Sequence, residues 1–151
     1  MAHNPVNHPA RPIYRAIGGL TGIYLVIFGV LGFIQNSGEE FFAQDAALVL
    51  GQGTNRGYAL VSVAVGALIL IGTGIGRNLD AAINKLFGYL FMLLGLAELA
   101  LLRTDANFFG FSIVTVIVVM IIGLVLLTAG MYGKVGTEEQ HRAWQDARLN
   151  L

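Results

Sequence analysis

Four long apolar runs, residues 15–34, 57–76, 82–102 and 110–132, alternate with short polar breaks along the chain. Each is about 20 residues, the length an α-helix needs to cross the roughly 30 Å hydrocarbon core of a bilayer. Only Glu98 lies well inside a run, with Lys85 just inside one. The pattern predicts an all-α integral membrane protein, a four-helix transmembrane bundle over residues 15–133. An extended N-terminal tail (1–14) precedes it, and a short amphipathic C-terminal helix (134–151) follows.

The runs echo one another. At an offset of 66, Gly22 falls on Gly88, Gly29 on Gly95, and Gly32 on Glu98. At an offset of 57, Gly66 falls on Gly123, Gly76 on Gly133, and Arg77 on Lys134. This reads as a duplicated helical hairpin, the two copies related by an axis along the membrane normal. The glycines also lie in stripes. Gly18, Gly22, Gly29 and Gly32 share one face of the first helix, and Asn84, Gly88, Gly95 and Glu98 share one face of the third. In lipid, helix association depends on close backbone approach, which small residues permit. The stripes are candidate seams of the bundle, and any stripe left facing lipid is a candidate surface for a partner's helix.

The longest connection, 35–56, alternates acids with bulky apolar groups through Glu39, Glu40, Phe41, Phe42 and Asp45. It suits either a short amphipathic segment lying on a surface or partner, or a loop covering its own bundle. Past Gly133 and Gly136, Thr137-Glu-Glu-Gln140 reads as a capping box opening a helix. Trp144, the only tryptophan, forms an apolar edge on that helix with Ala147 and Leu151. Pro5, Pro9 and Pro12 keep the opening residues extended.

Charge adds an orientation. With both termini on one side, that side holds Arg11, Arg15, Arg77, Lys85, Lys134, Arg142 and Arg148, and the other holds only Arg56 and Arg103. The positive-inside rule therefore puts both termini in the cytoplasm of an inner-membrane protein. Tyr14, Phe87 and Tyr132 mark the inner interface, and Phe33, Tyr58, Phe108 and Phe109 the outer one. Nine basic and nine acidic residues cancel, leaving no basic face for nucleic acid. The absence of cysteine removes disulfides, thiol catalysis and thiolate metal sites.

Candidate chemistry is sparse. Glu98 is the one ionisable group inside a span, open to three readings: a structural polar contact with Arg103, Arg56 or backbone donors, a salt bridge to a partner, or proton coupling. Lys85 and Asn84 sit close enough to the inner interface for the lysine to snorkel. Gly72-Thr-Gly-Ile-Gly76 is G-x-G-x-G without a strand before it, and Gly51–Gly57 lacks a P-loop lysine, so neither predicts nucleotide binding. His3, His8 and His141 all lie in the tails, so no span offers a haem ligand or a base for a serine. No catalytic, cofactor or metal site is expected. Candidate partner or packing contacts are Gly18, Gly22, Gly29, Gly88, Gly95, Glu98, Phe41, Phe42 and Trp144.

Gly29-Val-Leu-Gly-Phe33, Leu48-Val-Leu-Gly51 with Thr54-Asn55, Asp105-Ala-Asn-Phe-Phe-Gly-Phe-Ser112 and Gly123–Gly133 together resemble a family of four-helix membrane proteins of unknown function from Actinobacteria, including mycobacteria. The resemblance covers roughly residues 13–136. Members of that family carry histidines near the start of the second helix, where this chain has Tyr58-Ala-Leu, so no role for them transfers. The resemblance implies no activity. It implies an actinobacterial inner membrane, and there the expected role is a non-catalytic accessory or regulatory subunit among other integral membrane subunits and lipids. A lipid importer of the mammalian-cell-entry (Mce) type is the first expected host and a respiratory supercomplex the second. The alternatives are a small homo-oligomeric transporter or channel, or a lipid-organising protein.

Overall fold

The computed structural model describes residues 5–45 and 47–149; Leu151 of the expected apolar edge lies outside them. Among the described residues there are five helices: α1 (Arg11–Gln35), α2 (Arg56–Ile75), α3 (Leu79–Leu101), α4 (Ile113–Tyr132) and α5 (Glu138–Leu149). A two-residue antiparallel pair, β1 (Leu48–Val49) and β2 (Gln52–Gly53), interrupts the loop between α1 and α2. The first four helices are long and apolar enough to cross a membrane. Their outward faces carry Leu20, Ile27, Leu68, Leu93 and Leu124, all exposed, while Asp80, Asn84, Glu98, Ser62 and Thr115 are buried. Apolar outside with polar inside suits a hydrocarbon solvent better than water.

Each helix begins and ends where local chemistry dictates. The Asn55 side chain accepts from the Tyr58 N–H to cap α2, and Ser112 with Thr115 forms a capping box on α4. Gly76, at φ 67°, takes the chain out of α2 into a turn whose Arg77 and Asn78 also have positive φ. Pro12 in its first turn opens α1 at Arg11 rather than Arg15, since a missing N–H costs nothing there.

Packing is closest between α1 and α2 and between α3 and α4, and the two hairpins then meet through α1–α4 and α2–α3. The hairpin crossings are built on glycine. A Cβ at Gly66 would stand 2.7 Å from the Gly22 carbonyl oxygen, and one at Gly123 would stand 3.1 Å from that of Gly88. The core between the pairs holds Leu25, Phe28, Tyr58, Ile69, Phe91, Val119 and Leu126. Tyr58 therefore does not mark an outer interface as expected. It is 2 % exposed, with its ring packed on Phe28, Phe109 and Phe111.

Of the two readings of the 35–56 loop, its described residues fit a cap on its own bundle. Leu50 and Gly51, both at positive φ, turn β1 into β2. That hairpin wedges between α1 and α4. Ser112 Oγ accepts from the Gly53 N–H, Thr115 Oγ1 donates to the Gly53 carbonyl at 2.8 Å, and Thr54 packs against Gly32 of α1. Asn36 donates to the Gly32 carbonyl and accepts from the Ala47 N–H, while Asn55 Nδ2 donates to the Ala43 and Phe108 carbonyls.

The tails also hold each other. Asn7 exchanges two hydrogen bonds with Gly136 through its amide and donates its N–H to the Lys134 carbonyl. Asn78 grips Val135 in the same two-handed way, and the His141 ring meets the Val6 carbonyl. The N-terminal segment is thus docked on the C-terminal one at one end of the bundle. Thr137 and Gln140 exchange the reciprocal bonds of a capping box as α5 opens.

Candidate functional site

The five glycines named as candidate contacts each meet another helix of this same chain. Gly18 faces the Asn84 amide, Gly22 the Gly66 carbonyl, Gly29 the Ala59 carbonyl, Gly88 the backbone of Leu127, and Gly95 the Met120 side chain. These stripes are seams, and all five glycines are buried within the bundle.

Glu98 closes the α3 stripe and is 5 % exposed. Its Oε2 is buried without a hydrogen-bond partner. The expected contact with Arg56 is not made. That guanidinium stands 4.9 Å over the Phe33 ring and leans on the Glu39 carbonyl, because α2 turns it toward the loop.

Phe41 and Phe42 stack edge to face in the loop that caps the bundle, and at that same end Leu48, Leu50 and Phe108 are also exposed, the five at 40–61 %. Phe42 also touches the backbone of Gly57. Trp144 lies half-buried on α5, stacked 5.9 Å from the His141 ring.

Two further features were not read from the sequence. At the end of the bundle where both tails dock, Asp80 is buried in the first turn of α3, with its Oδ2 3.5 Å from Arg11 and 3.8 Å from Arg15. Both arginines also close helix ends. Arg15 donates to the Thr73 and Gly74 carbonyls of α2, and Arg11 to the Gly133 carbonyl after α4. Asp80→Ala would remove the carboxylate that faces two partly buried cations, and the unfolding free energy is expected to fall by about 1–3 kcal/mol. Asp80→Asn is expected to lose less, and an unchanged midpoint in both would show that the arginines are held by the carbonyls alone.

The second feature is a groove of about 440 Å³ between α1 and α4, lined by Ile17, Leu20 and Tyr24 against Val118, Ile121 and Val125. The end nearer the 36–55 loop is roofed by Gln52, whose amide donates to the Tyr24 hydroxyl at 2.6 Å. Toward the end that carries the tails the same two helices meet through the Tyr14–Tyr132 stack, 4.9 Å between centroids, with His8 against both rings. The only sequence signal for it is that residues 17, 20, 21 and 24 share a face of α1 that carries no glycine.

Among the described residues, no three His, Asp or Glu side chains converge as metal ligands. Comparison with family models, curated proteins and solved structures finds no match for this chain.

Proposed function

We propose that this chain is a multi-pass inner-membrane protein with both ends in the cytoplasm, acting as a non-catalytic accessory subunit of a larger membrane assembly. The observation that supports the reading is the outer cap. Its backbone is fixed by Asn36, Asn55, Ser112 and Thr115, yet it presents Phe41, Phe42, Leu48, Leu50 and Phe108 outward. A rigid apolar surface beyond the spans is a docking surface. With the glycine seams used internally, partner contacts fall on this cap.

The bundle is further read as a duplicated hairpin. Asn55 and Ser112, the N-caps of α2 and α4, stand at the offset of 57, as do the C-caps Gly76 and Gly133, and the Gly22–Gly66 crossing corresponds to Gly88–Gly123. A transporter needs a polar route, whereas the α1–α4 groove is lined by hydrocarbon. That groove favours a second reading, a lipid-organising protein.

Affinity purification from native membranes in mild detergent tests the proposal. A stoichiometric set of other membrane subunits is expected, with components of an Mce-type lipid importer first among hosts and of a respiratory supercomplex second. Phe41→Asp should reduce their recovery about tenfold, the loss of a buried aromatic anchor, without changing the amount of this chain. Recovery of the chain alone, or only as a homo-oligomer, would overturn the subunit reading.

A further inference from the structure

The α1–α4 seam differs from the seams inside each hairpin. Glycines draw α1 onto α2 and α3 onto α4, but between α1 and α4 the β1–β2 wedge at one end and the Tyr14–Tyr132 stack at the other hold the helices apart. The groove left between them is open on the side of the bundle, where Leu20 and Ile121 are exposed. Its volume lies in the range of ligand sites, roughly 300–1,000 Å³. Its two polar side chains are already engaged: Thr21 donates to the Ile17 carbonyl, and the Tyr24 oxygen accepts from Gln52. What the groove offers an occupant is hydrocarbon.

Depth and shape select among apolar occupants. At a rise of 1.5 Å per residue, Ile17 and Tyr24 stand roughly 9 and 20 Å above Arg11 along α1. They bracket the midplane of a core about 30 Å thick, the depth reached by chains of inner-leaflet lipids. The groove is closed by Gln52 at one end and by the Tyr14–Tyr132 stack at the other, about 11 Å of helix rise separating Ile17 from Tyr24, so a partner helix running through the full roughly 30 Å core would meet both closures. A single chain can pass over the tyrosine stack and enter.

The rim at the inner end supplies charge. Lys134 is exposed, and its backbone carbonyl is bonded to the Asn7 N–H beside His8, whose ring rests on Tyr132. Arg11, nearby at the start of α1, is bonded to Gly133 and Asp80, and the acids Glu138 and Glu139 open α5 after the Lys134 turn.

We propose that the groove binds one acyl chain of an inner-leaflet anionic phospholipid, whose phosphate lies at the rim beside Lys134 and His8. The proposal rests on the chain spanning a bilayer, and resistance of the protein to alkaline extraction from membranes tests that premise separately.

Native mass spectrometry of the purified, delipidated protein with added phosphatidylglycerol tests the groove itself. A one-to-one adduct is expected in the unsubstituted chain. Leu20→Trp and Val118→Trp, which fill the groove from opposite helices, should each reduce it about fivefold by displacing the buried chain. Ile117→Trp, on the exposed face of α4 outside the groove, should keep it. Lys134→Ala should weaken retention of phosphatidylglycerol but leave that of phosphatidylcholine unchanged. Adducts that are absent, that survive both groove fillings, or that are lost equally with Ile117→Trp would overturn the proposal. So would a dimer of this chain dissociated by Leu20→Trp, which would give the groove to protein.

Discussion

Alanine at Gly29 is expected to lower the stability of the bundle by about 3 kcal/mol, the upper part of the range for overpacking. A Cβ there would lie 2.5 Å from the Ala59 carbonyl oxygen and 2.8 Å from the Val63 nitrogen. Both are backbone atoms of α2, so no rotamer change relieves the clash and the two helices must separate. That separation is costly, because close backbone approach is what holds helices together at a glycine crossing. Two comparisons give the prediction its edge. At Gly95 the nearest atom is the Met120 Cγ, part of a flexible side chain, so Gly95→Ala should cost much less. Gly74 has nothing within 4 Å, and Gly74→Ala should be neutral or stabilising by up to about 1 kcal/mol through helix propensity. Helicity followed through a titration from mild detergent into dodecyl sulfate ranks the three. Equal midpoints for Gly29→Ala and Gly74→Ala would show that the α1–α2 contact does not hold the fold.

The second large effect belongs to Asn55. Its Oδ1 caps α2 at 3.0 Å from the Tyr58 nitrogen, while its Nδ2 donates to the Ala43 carbonyl at 3.1 Å and to the Phe108 carbonyl at 2.7 Å. One fully buried side chain thus joins a helix start, the outer loop and the α3–α4 connection. Asn55→Ala removes a cap worth about 1 kcal/mol and strands two carbonyls at about 1 kcal/mol or more each, so a loss near 3 kcal/mol is expected. Asn55→Asp separates the roles. Aspartate caps helices as well as asparagine does, but it has no donors and sets its charge against two carbonyl oxygens. It should therefore destabilise at least as much as alanine. Limited proteolysis in the 36–55 loop, alongside the thermal midpoint, reads the effect, and an Asp variant as stable as the parent would reduce Asn55 to a simple cap.

Much of the scaffold is legible in the sequence because it follows from length and period. The apolar runs mark α1 to α4 to within a few residues, and Thr137 with Gln140 announces the start of α5. What escapes is whatever depends on contact between distant segments. Asp80 stands just before the third apolar run, and nothing local says that Arg11 and Arg15 converge on it. Tyr58 sits where an interfacial aromatic would, but a residue at the right depth can face in or out, and here packing on Phe28 and Phe111 turns it in. The 35–56 loop shows an alternation that suits an amphipathic surface segment as well as a covering loop, and only Leu50 and Gly51 at positive φ, turning it back as a hairpin with partners at the start of α4, decide for the cover. The groove is likewise a property of two helices and invisible in either alone.

That wedge also imposes an order on the making of the protein. As the chain emerges from the ribosome, α1 and α2 can close on their glycines at once, but the loop between them is then only partly held. Its β1–β2 pair and its bond to Asn36 can form with the first hairpin, whereas Gly53 finds Ser112 and Thr115, and Asn55 finds Phe108, only after the chain beyond α3 has been made. Until then those groups stay unpaired. Full seating of β1–β2 therefore waits on α4, and a nascent chain stalled before Ser112 would expose a segment that the finished protein keeps shut.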